Sequence, residues 1–161
     1  MRSLVGVFCL ALFSTWVRAE PADTPMSTIH RFIDASSRGD DVAAEASQAP
    51  DVSIIDEVPP HAWRGPGAYR AWAAYAHRQD VAEDVHDGVL SVGRVVRDES
   101  DGKTAYVVVH ALYRYKAHGV LTDEPAEMVF TLQRGQNGWK ITAWCFTGTV
   151  PHPSAPKSAP R

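Results

Sequence analysis

From Val89 to Thr149 the chain keeps a period of two. Four runs rich in β-branched and aromatic residues, "VLSVGRVV", "TAYVVVHALYRYKA", "AEMVFTLQR" and "WKITAWCFTGT", are separated by Asp101-Gly102, His118-Gly119 and Asn137-Gly138. Such dipeptides favour tight hairpin turns, so four strands in hairpin order make an antiparallel meander. A meander this long must bury one face, and the first half of the chain has to supply the cover.

That first half is helical in pattern. "TPMSTIHRFIDASSRGD" offers Thr24 as an N-cap, Pro25 at the first helical position, apolar Ile29, Phe32 and Ile33, and Gly39 as a stop. Asp40 or Asp41 caps a shorter helix through "VAAEAS", which ends before Pro50 because the residue preceding proline is pushed out of the helical region. "DVSIID" is a strand. In "GPGAYRAWAAYAHRQD", Tyr69, Trp72, Ala73 and Ala76 recur at helical spacing and lay one face on a core. Helix, helix, strand, helix and then four strands is an α+β plan, with helices on one face of a bent sheet.

The 161 residues, 45% hydrophobic and 22% charged, suit one domain with one core. Net charge is −3, and −5 once Arg2 and Arg18 are set aside with the N-terminal segment. No Lys/Arg run offers phosphate neutralisation, so nucleic acid is not an expected partner. The start, "MRSLVGVFCLALFSTWVRAE", has a basic n-region, an apolar run from Leu4 to Val17, and small residues Val17 and Ala19, the pattern of a signal peptide cleaved after Ala19. The run is shorter than the roughly 20 residues a spanning helix needs. The expectation is residues 1–19 as signal, 20–150 as the domain and 151–161 as a disordered Pro-rich tail, in a periplasmic or secreted protein with no membrane contact after cleavage. Cys145 is then the only thiol, and no intramolecular disulfide forms.

Taken together, "RFIDASSRGDDVAAEASQAPDVSIIDEVPPHAWRGPGAYRAW" and the closing "GWKITAWCF" resemble the nuclear transport factor 2-like superfamily, which includes ketosteroid isomerase, scytalone dehydratase and SnoaL-like cyclases. The resemblance covers residues 26 to 150. It implies a cone-like half barrel, a curved antiparallel sheet around a pocket closed by the three helices of the N-terminal half. It also implies that the isomerase's general-base aspartate falls on Asp56. The position of the tyrosine that donates to the substrate oxygen holds Phe32, and that of the protonated aspartate falls on Phe130 or Thr131. Only the base has a counterpart. The superfamily hosts enzymes and non-enzymes on one scaffold, so the resemblance speaks to fold more than to function.

Strand alternation separately puts Asp56 on the face of Val52 and Ile54, and Glu57 on the opposite face with Ser53 and Ile55. Asp56 is therefore a candidate base, desolvated against apolar neighbours. The alternative is an anchor that accepts hydrogen bonds from the "EVPPHAW" loop or binds Arg64 or Arg70. His110, on the face of Tyr106, Val108 and Leu112, is a second candidate for proton transfer, or a hydrogen-bonded buried histidine. Phe32, Ile54, Tyr69, Trp72, Trp144 and Phe146 are the candidate walls of an apolar ligand pocket, with core packing as the alternative for the tryptophans. His86, amid Glu83, Asp84 and Asp87, lacks a second histidine at metal-site spacing and belongs to a solvated acidic edge. No glycine loop cradles a phosphate. No metal or cofactor is expected, and the partner is a small, mostly apolar molecule.

Two functions remain open at this stage: an exported enzyme transferring a proton with Asp56, as an isomerase, cyclase or dehydratase would, or a non-catalytic binding or assembly module. A homodimer through the outer sheet face is expected from the resemblance and from "AYVVVHALY", which is apolar on both faces.

Overall fold

The computed structural model describes residues 23–155. The signal peptide expected at residues 1–19 lies outside them. The chain runs α1 (Pro25–Ser37), α2 (Asp41–Ala46), β1 (Gln48–Ile55), β2 (Ala62–Arg64), α3 (Ala68–Ala82), β3 (Val85–Ser100), β4 (Thr104–Ala117), β5 (Val120–Gly135), β6 (Gly138–Gly148) and β7 (His152–Pro153). Thr24 caps α1 reciprocally: its hydroxyl accepts from the Ser27 N–H at 3.1 Å and the Ser27 hydroxyl accepts from the Thr24 N–H at 3.0 Å. Asp40 caps α2 by accepting from the Ala43 N–H at 3.0 Å. Among the described residues no helix is long and apolar enough to cross a membrane.

β3 to β6 form the expected meander, within a sheet ordered β2-β1-β6-β5-β4-β3. At the turn between β4 and β5, His118 and Gly119 both have positive φ, 49° and 77°, the two-residue geometry that matches strand twist. The sheet is not purely antiparallel. β1 runs parallel to β6, pairing Ile54 with Trp144 and Ile55 with Cys145, because α3 and the meander carry the chain back before it meets β1. β2 had no counterpart in the periodicity, since three residues are too few to show a period; it folds back antiparallel on β1.

Register shifts in β1/β6, β3/β4 and β5/β6 curl the sheet without closing it. The shift at Thr131/Leu132 has a visible use. Thr142 is the extra residue of β6, so Ile141 and Trp144 face the same side despite their odd spacing, at 0% and 3% exposure. That inner side also carries Val107, Val109, Met128 and Phe130, and α1 lays Ile29, Phe32 and Ile33 on it. The tail, expected to be structureless from 151, instead begins with β7. Thr122 pairs with Pro153, Asp123 pairs with His152, and the Ser154 N–H donates to the Leu121 carbonyl at 2.8 Å. A proline is tolerated there because β7 pairs on one side only.

Candidate functional site

Asp56 follows β1 directly and is half-buried. Its Oδ2 accepts the indole Nε1–H of Trp72 at 2.9 Å and its Oδ1 accepts the Val58 N–H at 3.2 Å. Among the described residues Arg64 makes no ion pair and Arg70 pairs with Glu45 at 2.9 Å, so neither expected arginine holds Asp56. The carboxylate thus anchors its loop and at the same time ties the loop to α3. Asp56→Asn should cost about 1–3 kcal/mol, because the amide has one acceptor for two donors and its NH2 must face one of them. Chemical denaturation of both proteins at pH 7 checks this; an unchanged midpoint would show that one of the two bonds carries no weight.

The six expected pocket residues do converge, but as packing. Phe32 lies 5.7 Å from Trp144 and 6.2 Å from Tyr69, and Trp72 meets Trp144 edge to face at 4.9 Å. Ile54 is wholly buried, and Trp72 and Phe146 pack against the same cluster. Trp144 spends its indole N–H on Gln48 Oε1 at 2.9 Å, and Tyr69 donates its hydroxyl to Asp41 at 3.2 Å. Burial chiefly, with Asp41 beside it, raises the Tyr69 pKa. Two hollows on the described surface share only Tyr69 with these six residues. One, of about 930 Å³, is an open groove that includes Asp51, Glu99, Tyr106, Gln133 and Thr142; the other, of about 280 Å³, includes Val42, Pro50, Val52 and Tyr69.

His110 is corrected by the structure. Val109 and Ala111 on either side of it are the buried residues of β4, so His110 faces outward, away from the aromatic cluster. There its Nε2 meets Arg94 at 2.8 Å and its Nδ1 lies 3.6 Å from Glu127. Alternation could place His110 with Tyr106 and Val108 but could not say which face of β4 was inner. His86 pairs with Asp84 at 2.8 Å on the surface, and among the described residues no group of three ligating side chains is placed to hold a metal ion. Burial, with Asp56 nearby, pushes the Cys145 thiol up, as befits an inert cysteine.

The feature that alternation missed is a pair of carboxyls. Glu124 on β5 is 3% exposed, and its Oε1 is buried with no donor beside it. Its neighbour is the carboxyl of Glu57, and two carboxyls hydrogen-bond only if one of them holds a proton. Burial first, then Glu57, then the charge of Asp56, push the Glu124 carboxyl up to about 8. Gly148 makes the pair sterically possible: a β-carbon there would sit on Glu124 Oε1 and Glu57 Oε2. Glu57 itself is exposed, so the pair opens to solvent on its side. On β4, Tyr113 and Tyr115 stack at 4.8 Å on the same inward rows, and Tyr113 pairs in register with Glu124. Burial raises both tyrosines, with Asp80 a further cause at Tyr113 and Glu124 at Tyr115.

A signal for Glu124 was present. Counting back in twos from Leu132, Phe130, Met128 and Ala126 reaches Glu124, but the strand was expected to start at Ala126, with Pro125 outside it. Proline fits within β5 because β6 ends opposite Ala126, at Gly148, beyond which Thr149 donates only to the Pro125 carbonyl. Glu57 was assigned the opposite face to Asp56, yet β1 ends at Ile55 and alternation has no authority past it.

A helix-backed, open, curled sheet with polar groups gathered at one end decides the fold. The chain has the nuclear transport factor 2-like fold. Solved structures agree at low identity. A nuclear transport factor 2-like protein with a cystatin-like fold from Novosphingobium aromaticivorans is 19% identical over 74% of this chain and 76% of its own, with TM-score 0.61. A ketosteroid isomerase-like protein from Erwinia carotovora atroseptica is 20% identical over 78% of this chain and 94% of its own, with TM-score 0.62. A hexachlorocyclohexane dehydrochlorinase is 13% identical over 84% and 93%, with TM-score 0.64. No protein-family model matches the sequence, and no curated protein does.

Proposed function

We propose that this chain is an exported protein that takes a small, mostly apolar molecule at the carboxyl-lined end of its curled sheet and moves a proton on it. The observation that carries the reading is the Glu57–Glu124 pair beside Asp56: a buried carboxyl that keeps its proton at neutral pH is an acid held within reach of the same molecule as the candidate base Asp56. Asp56 keeps the role of base, positioned by Trp72 and Val58, and Glu124 supplies the acid that Phe130 and Thr131 lack. Two similar structures bear the names of an isomerase-like protein and a dehydrochlorinase, and the reading takes from them only the general class of small-molecule chemistry.

Proton transfer is tested without knowing the substrate. A panel of small cyclic ketones in deuterated buffer, followed by NMR, should show wild type speeding deuterium uptake next to the carbonyl, with Glu124→Gln and Asp56→Asn at background. Wild type no faster than both variants would overturn the catalytic reading. The packed aromatic interior favours the second reading, a binding or assembly module without turnover. A homodimer belongs to either one: Ile55, Val95, Val96 and Tyr106 are 38–48% exposed, all on β1, β3 and β4. Light scattering at micromolar concentration should give twice the monomer mass, and a strict monomer would reject the pairing.

A further inference from the structure

The carboxyl-lined end has a charge character that narrows what can enter it. Every charged side chain acting on Glu124 is another carboxylate, Glu57 or Asp56. Tyr113 feels Asp80 and Glu124, and Tyr115 feels Glu124, Glu57, Glu83 and Asp80. The nearest described lysine and arginine on β4 are spent elsewhere: Lys116 on Asp87 at 2.8 Å and Arg114 on Asp123 at 2.6 Å. His77 and His86 lie near Asp80, but among the described residues no cation acts on Glu124 itself.

An acidic cluster alone would not define a site, since solvated carboxylates gather on many surfaces. Glu124 is different. It is 3% exposed, its Oε1 has no donor partner, and it is aimed at Glu57, whose other side is open to solvent. An unpaired buried acceptor of this kind is costly unless something donates to it. The site can retain a proton, or it can receive a ligand that brings N–H donors and positive charge. A metal ion is the wrong cation, because no three ligating side chains among the described residues are spaced to hold one. An ammonium suits the surroundings, with carboxylate oxygens for its N–H groups and the Tyr113 and Tyr115 ring faces for its alkyl stem.

We propose that the small molecule taken at this end carries a protonated amine on its apolar body, and that Glu124 and Glu57 with Asp56 receive that amine. The inference rests on the small-molecule reading proposed above and adds the substrate class. Three probes of one shape separate the two: 3-phenylpropylamine, the neutral 3-phenylpropanol and the anionic 4-phenylbutyrate, titrated by calorimetry at pH 7.5 into wild type, Glu124→Gln and Glu57→Gln. The amine should bind wild type at least about tenfold tighter than the alcohol, the anion should bind weakest, and both variants should bring amine and alcohol to within about twofold. Glu57 is exposed, so Glu57→Gln stays informative should Glu124→Gln fold poorly. Amine and alcohol binding wild type equally, or an amine preference that survives in Glu57→Gln, would overturn the amine and leave the proposed small-molecule binding standing. Binding of none of the three would overturn both.

Discussion

Phe32→Ala should cost about 3–5 kcal/mol of folding stability, among the largest losses expected from a single truncation in the described core. Phe32 is 2% exposed and stands where helix and sheet meet: 5.7 Å from Trp144, 6.2 Å from Tyr69 and 6.3 Å from Phe130, edge-on to the last two. Removing the ring deletes contacts to three aromatic partners at once and leaves a void that rigid neighbours cannot close. A domain of this size is stable by about 5–15 kcal/mol, so the loss is a large fraction of the whole. Urea denaturation of wild type, Phe32→Leu and Phe32→Ala measures it. The result also separates core from pocket at this position. A ring lining a solvent-filled cavity would be replaced at a cost under about 1 kcal/mol, because its partners would already be wet.

The meander was legible because period two and hairpin dipeptides are local signals, and Gly102, Gly119 and Gly138 all adopt the positive φ that such turns need. The capping of α1 by Thr24 and of α2 by Asp40 was legible for the same reason. What the local signals could not carry is pairing across the chain. The parallel contact of β1 with β6 joins residues about ninety positions apart, and nothing in "DVSIID" or "WKITAWCF" encodes the partner. The site shows both limits. The aromatic residues were legible as packing because they stand inside periodic elements, whereas Asp56 lies one residue past the end of β1. His110 was placed on the face of Tyr106 and Val108, but alternation defines two faces without naming the inner one, and that face is the outer. Glu57 and Glu124 meet only through the fold, one past the end of β1 and one before the expected start of β5, with Gly148 of β6 leaving the space between them.

Glu124→Gln should change the pH dependence of stability in one direction only. In the unfolded chain Glu124 titrates near its ordinary value of 4.5, while burial beside Glu57 and Asp56 pushes it up to about 8 in the folded one. Below the unfolded value both states hold the proton and Glu124 contributes no pH dependence. Between the two values the unfolded chain releases a proton that the folded chain keeps, so wild type loses stability as pH rises, and above about 8 the loss is complete. Glutamine has no proton to lose. The difference between variant and wild type should therefore grow in the variant's favour from pH 5 to pH 9, by about 1–3 kcal/mol after allowing for the solvent that reaches the pair past Glu57. Histidine titrations are common to both proteins and cancel in the difference. Melting temperatures at half-unit pH steps test it, and parallel curves would show that Glu124 ionises in the folded chain as a free glutamate does. Activity should move the opposite way. If the deuterium uptake proposed above runs through Glu124, its rate should fall on the order of a hundredfold or more in the variant that is more stable at pH 9. A gain in stability joined to a loss of proton transfer is what a strained catalytic group leaves behind when its charge is removed, whereas a merely structural carboxyl would lose both together.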